Sequence, residues 1–174
     1  RRIGDQEFLG NRDAVRNAYE NLGTARKNAE RSRALAQEGR EKKELLEKAL
    51  AIRPNVPELL NNLAAVYSHQ GRYEEVEALA ERIHRDHPDY WFGRTNLAVM
   101  LAHRGETKRA RKLIDPLMDQ QRLHVSEFSA LCYAQASLAG AERMWDAARG
   151  WADQLERVLP NDPQVKIIRS WKRW

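Results

Sequence analysis

The residues of this chain best equipped for chemistry are five histidines, one cysteine and a few adjacent carboxylates. His69 and His103 hold equivalent places in two similar stretches, "NNLAAVYSHQGRYEEVEALA" from Asn61 and "TNLAVMLAHRGETKRARKLI" from Thr95. A zinc ion needs each ligating nitrogen about 2 Å away. Helices packed side by side keep their axes about 8–10 Å apart, and no acid recurs beside either histidine. The pair is therefore not expected to share a metal. His84 and His87 lie just before Pro88, at a helix end where an imidazole can meet the last carbonyls. His124 and Ser126 sit in "HVSEF", which is no nucleophile elbow. "LAGAERMW" has too few glycines, and no following Lys-Ser/Thr, to cradle a phosphate. Glu74 and Glu75 lie on a helix among Arg and Lys and read as solvated surface. Cys132 is alone, which excludes an internal disulfide and a cysteine metal cluster. It stands where the related stretches carry Ala64 and Ala98, so a packed, inert thiol is expected. No catalytic residue, metal ligand or cofactor is predicted.

The elements that carry these residues repeat. The two quoted stretches are 34 residues apart, and so are Pro54 and Pro88, and Gly71 and Gly105. Leu63, Leu97 and Leu131 keep the same step, as do Ala64, Ala98 and Cys132. Such a period is the mark of a stacked-repeat architecture. Leu59, Leu60, Leu63, Ala64, Val66 and Tyr67 recur at helical steps. Gly71 interrupts them, and Val76, Leu79, Ala80 and Ile83 resume the pattern up to Pro88. Each unit is thus helix, turn, helix, and no strand-like alternation is present. A helix pair cannot bury its apolar face alone, so stacked neighbours must cover one another. Small Ala64, Ala98 and Cys132 allow the close approach.

The units fall at about residues 57–90, 91–124 and 125–162, within an array spanning 40–163. From Arg122 to Pro160 the third is four residues over the period. The extra residues belong around "SLAGAERMW", where an insertion reads as a loop. Upstream, "ELLEKALAIRP" reads as the second helix of a divergent unit. A helix from about Arg12 to Gln37, with Val15, Ala18, Tyr19, Leu22, Ala25 and Ala29 on one face, would be its first. Gly39 is expected to end that helix, so residues 1–39 form a separate helical segment. The tail from 164 to 174 reads as a capping helix, with Val165, Ile168 and Trp171 or Lys172 facing the last pair and Lys166, Arg169 and Arg173 in water.

Composition sets the outer limits. Of 174 residues, 42% are hydrophobic and 32% charged, too apolar for a disordered chain. No apolar run approaches the roughly 20 residues of a membrane-spanning helix. The net charge of +5 comes from 30 bases among 25 acids, which ordinary solubility explains. The mixed-sign run "ERSRALAQEGREKKELLEK" is no nucleic-acid arm. Trp171 and Trp174 beside Lys172 and Arg173 could stack on bases or rest at a membrane interface; capping explains them as well. The lone cysteine fits a reducing compartment, and a cytoplasmic location is expected. The start at Arg1 suggests a fragment of a longer protein.

With these landmarks the chain resembles the tetratricopeptide repeat family, well over residues 40–163 and poorly before them. Leu60, Leu63, Ala64 and Tyr67 stand at the W, L, G and Y of its motif, and Val76, Ala80 and Pro88 at its A, F and P. Arg94, Leu97, Ala98, Leu101, Ala110 and Ile114 follow in the second unit, where Arg122 replaces the closing proline. Phe128, Leu131, Cys132, Gln135, Ala148, Ala152 and Pro160 follow in the third. The resemblance implies an all-α right-handed superhelix of about four antiparallel hairpins with a C-terminal cap. It further implies a non-enzymatic interaction module or scaffold that binds a peptide or protein segment in a concave groove. Asn62 and Asn96 would face that groove, offering donor and acceptor to an extended backbone. The other reading of these two is that they tie adjacent helices together. Asn61, Thr95, Ser129 and Tyr133 would be their neighbours. The clamp for acidic chaperone tails looks absent, because Asn61, Ala65, Ser126 and Ala130 stand at its places without positive charge. Two alternatives stay open: a regulatory or substrate-recruiting domain of a larger enzyme, and a nucleic-acid-binding solenoid.

Overall fold

The computed structural model describes the backbone of residues 4–171 and the side chains of residues 24–171. The chain divides into two compact units, Arg1–Leu45 and Leu46–Trp174. Among the described residues the regular structure is entirely helical.

The first unit is a single helical stretch, the major part of α1 (Gly4–Ile52). Here the structure corrects the sequence. Gly39 was expected to end a helix and lies inside one. A glycine costs a helix interior only about 1 kcal/mol against alanine. The flanking Ala, Leu, Glu, Gln, Lys and Arg residues are strong helix formers that outweigh it. Local pairs add support, as Arg26 with Glu30 at 3.2 Å and Gln37 with Glu41 at 2.7 Å show. From Thr24 to Leu45 nearly every side chain is exposed.

The second unit opens with the last turns of α1, where Leu46 and Leu50 pack with Leu63, Val66 and Leu79. These turns stand where "ELLEKALAIRP" predicts a second helix. Three hairpins follow. The first pairs α2 (Pro57–His69) with α3 (Tyr73–Asp86). The second pairs α4 (Trp91–His103) with α5 (Thr107–Ile114). The third pairs α6 (Val125–Ala141) with α7 (Trp145–Val158), and α8 (Pro163–Ser170) closes the stack. Pro116 shortens α5, and a 3-10 turn over Asp115–Leu117 carries Leu117 into the core position held elsewhere by Ile83 and Leu155.

The helices beginning at 57, 91 and 125 start in register, but α2 and α4 have 13 residues and α6 has 17. The insertion is therefore one further helical turn and not the expected loop. Four residues nearly match the 3.6 of a turn, so the faces of α6 stay in phase. Each hairpin turn repeats one backbone bond pattern. Gly71 and Arg72 donate to Ser68 and Tyr67, Gly105 and Glu106 to Ala102 and Leu101, and Arg143 and Met144 to Gly140 and Ala139. This is the six-to-one and five-to-two closure that needs a left-handed residue. Gly71 and Gly105 supply it at φ 72° and 78°, whereas the third turn places Arg143 at φ 60°.

The stack closes where the small residues were read. Ala98 and Cys132 are fully buried and Ala64 nearly so. Asp162 caps α8, its Oδ1 accepting from the Gln164 backbone N–H at 2.8 Å. Val165 then packs with Cys132 and Leu155, and Ile168 with Ala136, Ala139, Ala148 and Ala152. Trp171 is half-buried, while Lys166 and Arg169 are exposed. Lys172, Arg173 and Trp174 lie outside the described residues.

Two measurements check this account. Ala98→Trp should destabilise by about 1–3 kcal/mol or more through overpacking, seen as a lower urea midpoint; an unchanged midpoint would mean the close contact is misplaced. Arg143→Gly should stabilise by about 1 kcal/mol, since a left-handed backbone costs side-chain-bearing residues about 1–2 kcal/mol, and would raise the midpoint.

Candidate functional site

Residues three, four and seven apart share one helix face. On α2 that rule groups Asn62, Ala65 and His69, all exposed. Their partners 34 residues on, in α4, are exposed Asn96 and His103 and half-buried Val99. Their partners in α6 are half-buried Ala130 and Tyr133 and buried Ser137. None of the nine is Asp, Glu, Lys or Arg. The first helices of successive hairpins are neighbours, so the nine positions form one uncharged, mostly polar or small face.

The row one residue earlier is committed to the fold. Asn96 Nδ2 donates to Asn61 Oδ1 at 2.8 Å, which links α4 to α2. Thr95 is buried, and its hydroxyl lies 3.2 Å from the Trp91 carbonyl oxygen of its own helix. Ser129 is buried, and its hydroxyl donates to Asp162 Oδ2 at 2.6 Å, tying α6 to the cap of α8. Tyr133 packs against Trp171 with ring centroids 5.9 Å apart, and burial pushes its phenol up. Of the six residues singled out in the sequence, Asn62 and Asn96 are the two that are exposed. Asn96 is also a tie between helices, with Asn61 as its partner.

Cys132, His84 and His87 are drawn into the packed fold. Cys132 has no exposed surface, and burial, with the Asp162 charge adding to it, pushes its thiol up to about 12. His84 Nδ1 and His87 Nε2 are buried without a hydrogen-bond partner, so these nitrogens do not meet the carbonyls expected of them. Burial, and then the charge of Arg94, holds the His84 imidazole below its ordinary value. Among the described residues no group of three or more His, Cys, Asp or Glu could hold a metal ion. No helix there is long and apolar enough to cross a membrane.

A cleft of about 710 Å³ lies at the end of the uncharged face, a feature sequence reasoning missed. Its walls come from the ends of α4, α6 and α8 and the start of α7, with His103, Ser137, Gly140, Trp145, Ser170 and Trp171 among the lining residues. The signal that could have found it is the four-residue insertion lying directly before Trp145.

Residues 43–93, from the last turns of α1 to the start of α4, match a family model described as tetratricopeptide repeat. No curated protein and no solved structure matches the chain.

A raised thiol pKa leaves almost no thiolate at pH 8, and the thiolate is the nucleophile. Cys132 in the folded chain should therefore react with a disulfide reagent far more slowly than a free cysteine, with full labelling in 6 M guanidinium. Rapid labelling of the folded chain would contradict the packing of α6 against α7 and α8.

Proposed function

We propose that this chain, whose residues 43–93 match a tetratricopeptide repeat model, is a non-enzymatic module that holds a partner's extended segment on the first-helix face. The observation that carries this reading is the register of that face. Asn62, Ala65 and His69 recur as Asn96, Val99 and His103, and again as Ala130, Tyr133 and Ser137. A segment lying across α2, α4 and α6 meets amides, two imidazoles, small side chains and one phenol, with no carboxylate, ammonium or guanidinium to select against its sequence. Asn62 is exposed, and an amide there can both donate to and accept from a backbone.

The test needs a substitution that blocks the face without touching the core. Ala65 is exposed, and surface changes of this kind stay within about 0.5 kcal/mol of neutral. Peptides selected from a random display library against the intact chain should lose about tenfold or more in affinity for Ala65→Arg, with melting temperature unchanged. Peptides that bind Ala65→Arg as well as the original chain would place the site elsewhere.

A further inference from the structure

We propose that the cleft between Trp145 and Trp171 is an anchor pocket for a bulky apolar side chain carried on an acidic partner segment. The inference deepens the reading of the first-helix face and rests on it, because His103 and Ser137 belong to both.

The pocket exists because α6 is one turn longer than α2 and α4. That turn contributes Gly140 and Ala141 to the lining and brings Trp145 to the cleft. A Cβ built on Gly140 would stand 3.7 Å from Trp145 Cζ3 and 3.8 Å from the Trp171 ring. Two indoles thus converge over a position that has no side chain. Alanine would fit there in ordinary contact, and anything larger would enter the cleft. Both tryptophans are half-buried, so each keeps exposed ring surface. Aromatic rings of this kind dominate the energetics of protein contacts. The volume of about 710 Å³ falls in the range of sites that enclose a ligand group.

Polarity selects an apolar occupant. Ser137 Oγ donates to the Tyr133 carbonyl at 2.8 Å, and Ser170 Oγ to the Ile167 carbonyl at 2.7 Å. Both hydroxyl protons are therefore taken by their own helices. His103 is the one ionisable side chain in the lining.

Charge around the mouth selects acidic neighbours for that occupant. Glu142 is paired with Arg111, Glu77 with Arg104, and Asp146 has an interaction of its own. Arg143, in the turn that joins the two lining helices α6 and α7, is exposed and forms no ion pair among the described residues, and the same holds of Arg149 one turn along α7. The local balance is positive. Arg143 also keeps a left-handed backbone, φ 60°, where the other two turns have glycine. A strained residue that a glycine would relieve is a pointer to function, and here the residue retained is a cation.

The experiment uses the isotopically labelled full chain and two blocked pentapeptides, Glu-Glu-Phe-Glu-Glu and Glu-Glu-Ala-Glu-Glu, read by the indole N–H signals. The phenylalanine peptide should shift the Trp145 and Trp171 signals saturably, and the alanine peptide should bind about tenfold more weakly or worse. Gly140→Leu should abolish the shifts while leaving the melting temperature intact. Arg143→Gly should weaken binding several-fold even as it stabilises the fold, a combination that a purely structural turn would not give. Ala65→Arg, on α2, should leave this peptide's affinity unchanged. The inference is overturned if neither indole moves, if both peptides bind alike, or if Gly140→Leu binds normally; a longer segment still blocked by Ala65→Arg would then leave the face reading standing. It is equally overturned if binding appears only in Trp174→Ala, since the chain's own end would then be the occupant.

Discussion

The approach of one helix to the next at a small side chain sets the geometry of residues 46–171. Ala98 and Cys132 have no exposed surface, and both occupy the middle of a first helix. Dispersion and apolar burial act only where surfaces touch, so a gap of a fraction of an ångström there would forfeit much of the contact. Once α4 and α6 are held this close, the second helices have a fixed place, and Ile83, Leu117 and Leu155 fall into matching buried positions. Gly93 belongs to the same constraint. A Cβ there would come within 2.6 Å of Ile83 Cγ2, so α4 sits against α3 with no room for a methyl group.

The extra turn of α6 is tolerated because it respects that constraint. A helix lengthened by four residues keeps its apolar faces nearly in phase, so Ser137, Leu138 and Ala139 are buried like the residues before them. A one- or two-residue insertion would have rotated the helix and exposed its core. The cost is displaced to the turn, where Arg143 takes the left-handed place without being glycine. The gain is a wall that the other hairpins lack.

Much of the fold was legible because stacking forces a period. The 34-residue step located the starts of α2, α4 and α6 and the small residues between them. The fate of Gly39 was not legible, since one glycine is a weak signal against strong helix formers on both sides. The insertion was seen but its form was not, because four residues suit a loop or a turn of helix equally well. Within the candidate site, the pattern could place Asn62 and Asn96 on one face. It could not show that Asn96 reaches back to Asn61, because that depends on how far α4 is offset against α2. The cleft was harder to see for a similar reason: its walls come from four helices, and only the insertion before Trp145 hinted at it.

Charge is segregated by the same architecture. The long cations at the edges of the stack meet acids from neighbouring elements. Arg104 pairs with Glu77, Arg111 with Glu142, and Arg169 with both Asp153 and Glu156 at 2.8 and 2.6 Å. Exposed pairs of this kind add little stability each. Their larger effect is on the field. Phosphate binding relies on cations free to replace condensed counterions, and here many are already matched within the fold. The nine first-helix positions carry no Asp, Glu, Lys or Arg, so a segment held there as proposed would be selected by shape and amide hydrogen bonding rather than by ion pairing.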